Sequence, residues 1–531
     1  MMRRAALCAS VLSLALACGC GAKSERPLRL ALVQQPNSLD PLRAVQFYEN
    51  YLAEAQFSAL VVVDDRGGLS PDLAEAVPTR ANGGISADGK TLVYHLRPGL
   101  RWQDGRPLSS HDVAFTFAKM RDPKTEFPEA SVYSIVARID TPDDRTVVIR
   151  LRSPWADATS ELFVGGQDGS IVPAHLLASV ADLPTSSFES HPVGSGPYML
   201  ESWERGVRLV LRANPQYFRG PPHIGRIEID FVPDQNTLAA LLRTGEIDFS
   251  PQLPQTFALQ LRDLPNLREL AVPTYNQLRL QFNTRRAPFD DARVRRAFDV
   301  AVDRNRLVTT VYRGFAVPGD DVSPPQSPYH TADPNLLPGG NLPAANRLLA
   351  GAGWSMGSDG LRHKNGTTLG FALTIQTGYP LAAAAAVQLQ ATWRALGADV
   401  TLRPMFSNVL LAPEGTLARG NFNVVLVPYG EVLSPDRADE LTRPGFPPSG
   451  RNYGRFYDPD VDRWTAQARA TPDFRARRAL YARISRRLAL LAPQPSLVWQ
   501  KQLYVLNREL EGLRPETVNS DFWNVAQWTM R

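Results

Sequence analysis

The chain has 531 residues, 44% hydrophobic and 21% charged, with 58 Lys plus Arg against 53 Asp plus Glu. Such a length implies roughly two to four domains, the apolar content excludes a disordered chain, and a mean hydropathy of −0.22 excludes a polytopic membrane protein. The net charge of +5 is interspersed along the chain and forms no basic tail or stripe, which argues against a nucleic-acid partner.

All three cysteines, Cys8, Cys18 and Cys20, stand at the start of the chain. The body therefore holds no disulfide, thiolate metal site or cysteine nucleophile. Arg3 and Arg4 precede an apolar run, Ala5 to Ala17, that is too short to span a bilayer. Small residues then surround Cys18 and Cys20. This segment resembles a bacterial lipoprotein signal peptide, in which cleavage precedes a diacylated cysteine. Residues 1–20 are its expected extent, with Cys18 (or Cys20) lipidated and 21–27 a leash. Paired acyl chains anchor stably where one does not. The expected location is the cell envelope, lipid-anchored on the outer face of the cytoplasmic membrane or in the periplasm. A cleaved soluble secretory signal is the alternative.

Beyond the leash, strands and helices alternate. Leu92, Tyr94 and Leu96 alternate with Val93, His95 and Arg97, the period of a strand with one buried face. Ser109 or Ser110 caps a helix from Asp112 onwards. Ile227, Ile229 and Phe231 predict a further strand, as do Leu278, Leu280 and Phe282. After Asp290 and Asp291, Val294, Phe298, Ala301 and Val302 line one helix face, with Arg293, Arg295 and Arg296 mostly off it. Ala382 to Ala386 opens a helix that Gly397 ends. In the last helix, Leu480, Ile484, Leu488 and Leu491 form a stripe, and Arg475, Arg477, Arg478, Arg486 and Arg487 read as a solvated face. Mixed elements without a fixed repeat imply a multi-domain α/β protein.

Several short blocks carry more than periodicity. They run Asn37-Ser38-Leu39-Asp40-Pro41, Pro71-Asp72-Leu73-Ala74-Glu75, then His95-Leu96-Arg97-Pro98-Gly99-Leu100-Arg101-Trp102 with Asp104-Gly105-Arg106-Pro107-Leu108. Gly194-Ser195-Gly196-Pro197-Tyr198, Asn214-Pro215-Gln216-Tyr217, Gly245-Glu246-Ile247-Asp248, Pro288-Phe289-Asp290-Asp291, Ala350-Gly351-Ala352-Gly353-Trp354 and Asn452-Tyr453 follow in order. Together they are similar to the signature of the family 5 solute-binding proteins of ABC importers, the extracellular dipeptide, oligopeptide and nickel receptors. The resemblance implies an α/β, two-lobed periplasmic-binding-protein-like fold (type II, cluster C) with three domains. Mapped here, domain I is 28–55 + 191–280 + 502–531, domain II is an insert at 56–190, and domain III, the second lobe, is 281–501. Crossings near 278–283 and 498–504 form the hinge. Gly194-Ser195-Gly196-Pro197 is either a crossing segment near the cleft or a tight structural turn.

The implied function is a lipid-anchored receptor that binds a peptide between two lobes and delivers it to an ABC permease with its ATPase subunits. It implies a monomer, no enzymatic activity and no cofactor. Such receptors hold extended ligands by main-chain hydrogen bonds, and an acid in the second lobe anchors the ligand amine. The matching stretch is Tyr429-Gly430-Glu431 with Ser434-Pro435-Asp436, where Glu431 replaces Asp and Tyr429 stands where Trp is usual. The expected ligand residues are Glu431, Tyr429, Gly430, Asn37, Ser38 and Asn283, the last being otherwise a hinge-capping amide. Trp155 and Trp499 are further cleft candidates. The alternatives are the same fold with a sugar or nickel chelate, and a secreted enzyme or chaperone. The seven histidines show no metal-ligand spacing, and no HExxH, Walker A, Rossmann or GxSxG pattern occurs.

Overall fold

The computed structural model describes residues 26–44, 46–166, 169–251, 253–331, 339–430, 433–516, 518 and 521–531. Cys18, Cys20 and Glu431 lie outside the described residues, as does the expected signal segment. Distant pieces of chain build the first sheet. Leu28–Leu32 pairs in parallel with Arg226–Phe231, and Arg208–Ala213 and Tyr198–Glu204 extend it antiparallel. Its core joins Leu30, Ile227 and Ile229 to Phe249, Leu506 and Trp528, so three segments close one apolar interior.

Residues between these pieces have their own core. Thr91–His95 and Val136–Asp143 flank Thr146–Leu151, and Val61–Val63 pairs with Leu69–Pro71 and Val164–Gly165. Leu92, Tyr94, Val147 and Ile149 face inward against Val113 and Phe117 of the helix Ser110–Arg121. Ser109 caps that helix, and Asp112 bonds back to the Ser109 N–H at 2.9 Å, a capping box that fixes the start.

A six-stranded sheet dominates the rest, in the order Ala316–Pro318, Ser496–Asn507, Leu267–Phe282, Val424–Gly430, Gly370–Gln376, Asp399–Met405. The helices Ala292–Val300 and Pro380–Ala395 contribute Phe298 and Trp393, which pack edge-on to each other and around Phe371. The two long strands belong to both halves of the molecule. Leu267–Pro273 pairs with Lys501–Asn507, and Leu506 bridges to Phe249 beside the first sheet. Asn276–Phe282 pairs on its other edge with Val424–Gly430, while Gln277–Arg279 still meets Ser496–Trp499. Pairing between the long strands shifts register between Pro273 and Gln277 and again at Leu278 and Arg279.

Two arginines depart from the helical reading. Arg295, expected mostly off the apolar face, is buried. Its Nε donates to the Leu491 carbonyl at 2.9 Å and its Nη1 to the Phe289 carbonyl at 2.7 Å. Leu491 ends the helix Phe474–Leu491, so the guanidinium serves a carbonyl that the helix leaves unsatisfied. Burial lowers the Arg295 pKa to about 10. Arg477, on that same helix, is also enclosed.

Candidate ligand cleft

The segments expected as the insert and the second lobe face each other across a cavity of about 700 Å³. The insert wall is the short helix Val132–Ile135 with Glu129, Trp155 and Glu161. The second-lobe wall is Ser434, Asp436, Asp439, Ser449, Arg451 and Arg469. Asn50, on the helix Phe47–Gln56, reaches the cavity from the first sheet's side. Beside it the walls touch. Asp157 Oδ1 accepts from Arg477 Nη1 at 2.9 Å, and the Ala156 N–H donates to the Arg469 carbonyl at 3.0 Å.

Local structure sets these side chains. Trp155 and Asp157 precede the single turn Ala158–Glu161, which carries Glu161 one turn beyond Asp157. The Asp436 carboxylate accepts from the Ala438 N–H at 3.0 Å and pairs with Arg469 at 3.0 Å. Arg451 pairs with Asp439 at 2.7 Å. Burial, reinforced by Asp157, Asp436 and Glu129, raises the Glu161 carboxyl to about 8. Burial also raises Asp436, to about 6, against the lowering by Arg469 and the Ala438 N–H. The cleft therefore carries more acidic than basic side chains, and two of the acids, Glu161 and Asp436, are partly desolvated and able to stabilise a positive group.

The family described as bacterial extracellular solute-binding proteins, family 5, middle region, matches residues 68–444. The chain belongs to this family. It is 28% identical to Protein XP55 of Streptomyces lividans over 499 residues, covering 93% of this chain and 87% of that protein. It is 23% identical to the oligopeptide-binding protein AppA of Bacillus subtilis, covering 93% and 90% of the two chains. The structure of that AppA in complex with a nonapeptide superposes with a TM-score of 0.73 at 22% identity, covering 95% of this chain and 99% of that one. NikZ from Campylobacter jejuni in complex with Ni(L-His) gives 0.74 at 24% identity, with the same coverage. The two-lobed α/β binding-protein fold is thus the fold of this chain. Among the described residues no helix is long and apolar enough to cross a membrane.

Within this family member the expected ligand residues separate. Tyr429 and Gly430 end a sheet strand, and Gly430 is exposed opposite Asn276. The Tyr429 hydroxyl is bonded to Glu440, and Arg279 stacks 3.7 Å over its ring. Glu440 is buried and also takes Arg279 at 3.0 Å and Arg437 at 2.7 Å. Tyr429 is thereby held rigidly at the end of its strand. Asn283 is buried, and its amide donates to the carbonyls of Gly420 (2.9 Å) and Phe422 (3.1 Å), the pattern of a capping amide. Ser38 is buried, its Oγ accepting from the Asp40 N–H at 2.8 Å. Asn37 is exposed and holds Glu49 and Arg205 through its backbone. None of Asn37, Ser38 and Asn283 lines the cavity. Trp155 lines it and Trp499, 1% exposed, does not. Glu161 and Asn50 escaped the sequence reading. The available signal was an acid pair four residues apart, Asp157 and Glu161, beside a tryptophan.

Proposed function

We propose that this solute-binding protein is a lipid-anchored extracytoplasmic receptor that takes a short peptide between its lobes and delivers it to an ABC import permease. The observation carrying this reading is the acidic cavity of about 700 Å³ between two walls that touch at one side. Its volume falls in the class of small-molecule sites, roughly 300–1,000 Å³. The name of the AppA relative, an oligopeptide-binding protein, supports the peptide class. The ligand amine pairs with Glu431, the residue after the exposed end of the strand Val424–Gly430. The separate apolar cores support the division into domains at 28–55 + 191–280 + 502–531, 56–190 and 281–501. Cys18, or Cys20, carries the lipid, which the apolar run and small residues before it support.

Native mass spectrometry after mild purification should find a co-purified short peptide, and di- and tripeptides should raise the melting temperature by mass action. A cleft that no peptide stabilises would sink the reading. Glu431→Gln should weaken peptides with a free amine about tenfold and spare N-acetylated ones. Equal loss for both refutes the anchor. Cys18→Ser, or failing that Cys20→Ser, should move the protein from the membrane to the soluble fraction.

A further inference from the structure

Six charged side chains line the cleft: Glu129, Glu161, Asp436, Asp439, Arg451 and Arg469. The two arginines are matched, Arg469 by Asp436 and Arg451 by Asp439. Among the described residues no cation pairs with Glu129 or Glu161, both on the insert wall, and the charges that act most on Glu161 are those of Asp157, Asp436 and Glu129. Glu161 Oε1 is a buried oxygen without a hydrogen-bond partner. One turn back, Asp157 is 3% exposed. Its Oδ1 holds Arg477, and its Oδ2 is buried and unpartnered. Asp157 itself is not among the residues that line the cavity; its carboxyl is held by Arg477 and Ser434 behind the wall. Trp155 Nε1 is a third buried polar atom there without a partner.

We propose that Glu161, with Glu129 on the same wall, forms a cation subsite of the insert, which selects solutes carrying a lysine- or arginine-like group. The subsite rests on the peptide reading and is separate from the amine anchor at residue 431. An ammonium or guanidinium brings several donors, and Glu161 Oε1 and the Glu129 carboxylate on the cavity wall are acceptors for them. Trp155 Nε1 supplies a donor for a ligand carbonyl. Among the described residues no three His, Cys, Asp or Glu side chains are placed to hold a metal ion, so an organic cation is the match. The groups around Glu161 are Asp157 beside it with its partner Arg477 from the opposing helix, Glu129 on its own wall, and Asp436 with Arg469 across the cleft. With its carboxyl raised to about 8, Glu161 gives up a proton when the cation arrives. The preference for a cationic side chain therefore grows as pH rises toward 8.

The test is calorimetry with tripeptide pairs in which lysine or its uncharged isostere norleucine occupies each position in turn. The expected result is a preference for lysine of about tenfold at one position at pH 8, shrinking at pH 6 and lost in Glu161→Gln. Equal binding of both peptides to the wild type at all positions overturns the subsite and leaves the peptide reading standing. A lysine preference that survives Glu161→Gln, with the variant's unfolding transition intact, overturns it too. The wild-type pH dependence decides the matter if the variant does not fold, and a flat preference overturns the subsite. Failure of every peptide to bind is the failure of the peptide reading and removes this inference with it.

Discussion

Gly194 and Gly196 are glycine because the chain passes against the end of the helix Phe47–Gln56. A Cβ on Gly194 would lie 1.8 Å from the Gln56 carbonyl oxygen, and one on Gly196 2.5 Å from its carbon. Ser195 between them is buried and accepts from the Ser58 N–H at 3.2 Å. The motif is thus a tight structural approach between the insert's entry and exit. Gly194→Ala must displace backbone and should cost about 1–3 kcal/mol in urea unfolding. Asp40 makes a second prediction. It caps the turn Pro41–Arg43 through the Leu42 N–H at 3.0 Å, while its other oxygen is buried without a partner. Burial, opposed by that bond and by Arg43 but aided by Glu189, raises its pKa from 3.8 to about 7. The folded state then holds a proton that the unfolded chain has lost. Its stabilisation is full below about pH 4 and disappears as pH rises through about 7. Asp40→Asn keeps the cap without the buried charge. It should raise Tm by roughly 2 °C at pH 8 and leave it unchanged near pH 4.

At the scale of elements, the helix Phe474–Leu491 has two jobs. Ile484 and Leu488 face a core, as the apolar stripe predicts, yet Arg477 leaves the solvated set to meet Asp157 of the insert. The helix Pro459–Arg469 adds its last carbonyl, which takes the Ala156 N–H. Periodicity places Arg477 off the stripe, and the opposing lobe then covers it. Removing the guanidinium also loses its bond to Tyr329 within its own lobe, but it leaves Asp157 buried and unpaired only while the lobes touch, so the larger penalty falls on the closed arrangement. Arg477→Met should weaken a neutral norleucine tripeptide about tenfold by calorimetry and leave Tm without ligand nearly unchanged. A drop in Tm with unaltered affinity would make the contact a fold support instead of a latch.

For the whole molecule, the long strands Leu267–Phe282 and Ser496–Asn507 are the only paired ribbon among the described residues common to the first sheet's surroundings and the six-stranded sheet. Their pairing breaks between Pro273 and Gln277, where the Thr274 hydroxyl bonds the Gln500 carbonyl at 2.9 Å in place of a ladder bond. Such a break is where rigid lobes can rotate on few residues. A solute gripping both walls should hold the lobes together, so the radius of gyration in solution scattering should be smaller with peptide than without. No change on saturation would separate binding from closure.

Much of this was legible in the chain. Alternation at Leu92–Leu96, Ile227–Phe231 and Leu278–Phe282 reports a strand because it depends only on neighbours two residues apart. The caps at Ser109 and Asp291 and the helix end at Gly397 are equally local. The ordered blocks, each a turn or cap with fixed backbone demands, carried the family. The cleft was less legible. Asn283, Ser38 and Tyr429 stand at family positions, but the partners of their polar groups, Gly420, Asp40 and Glu440, are settled by folding. Glu161 and Asp436 have ordinary carboxyls in sequence, and they become an acidic pair of walls only when the insert and second lobe meet and exclude water. The sequence by itself determined local geometry and family, since both rest on short-range sterics and pattern. Only the tertiary structure decided which charges are buried together, because desolvation and Coulomb interaction act through space between segments that are remote along the chain.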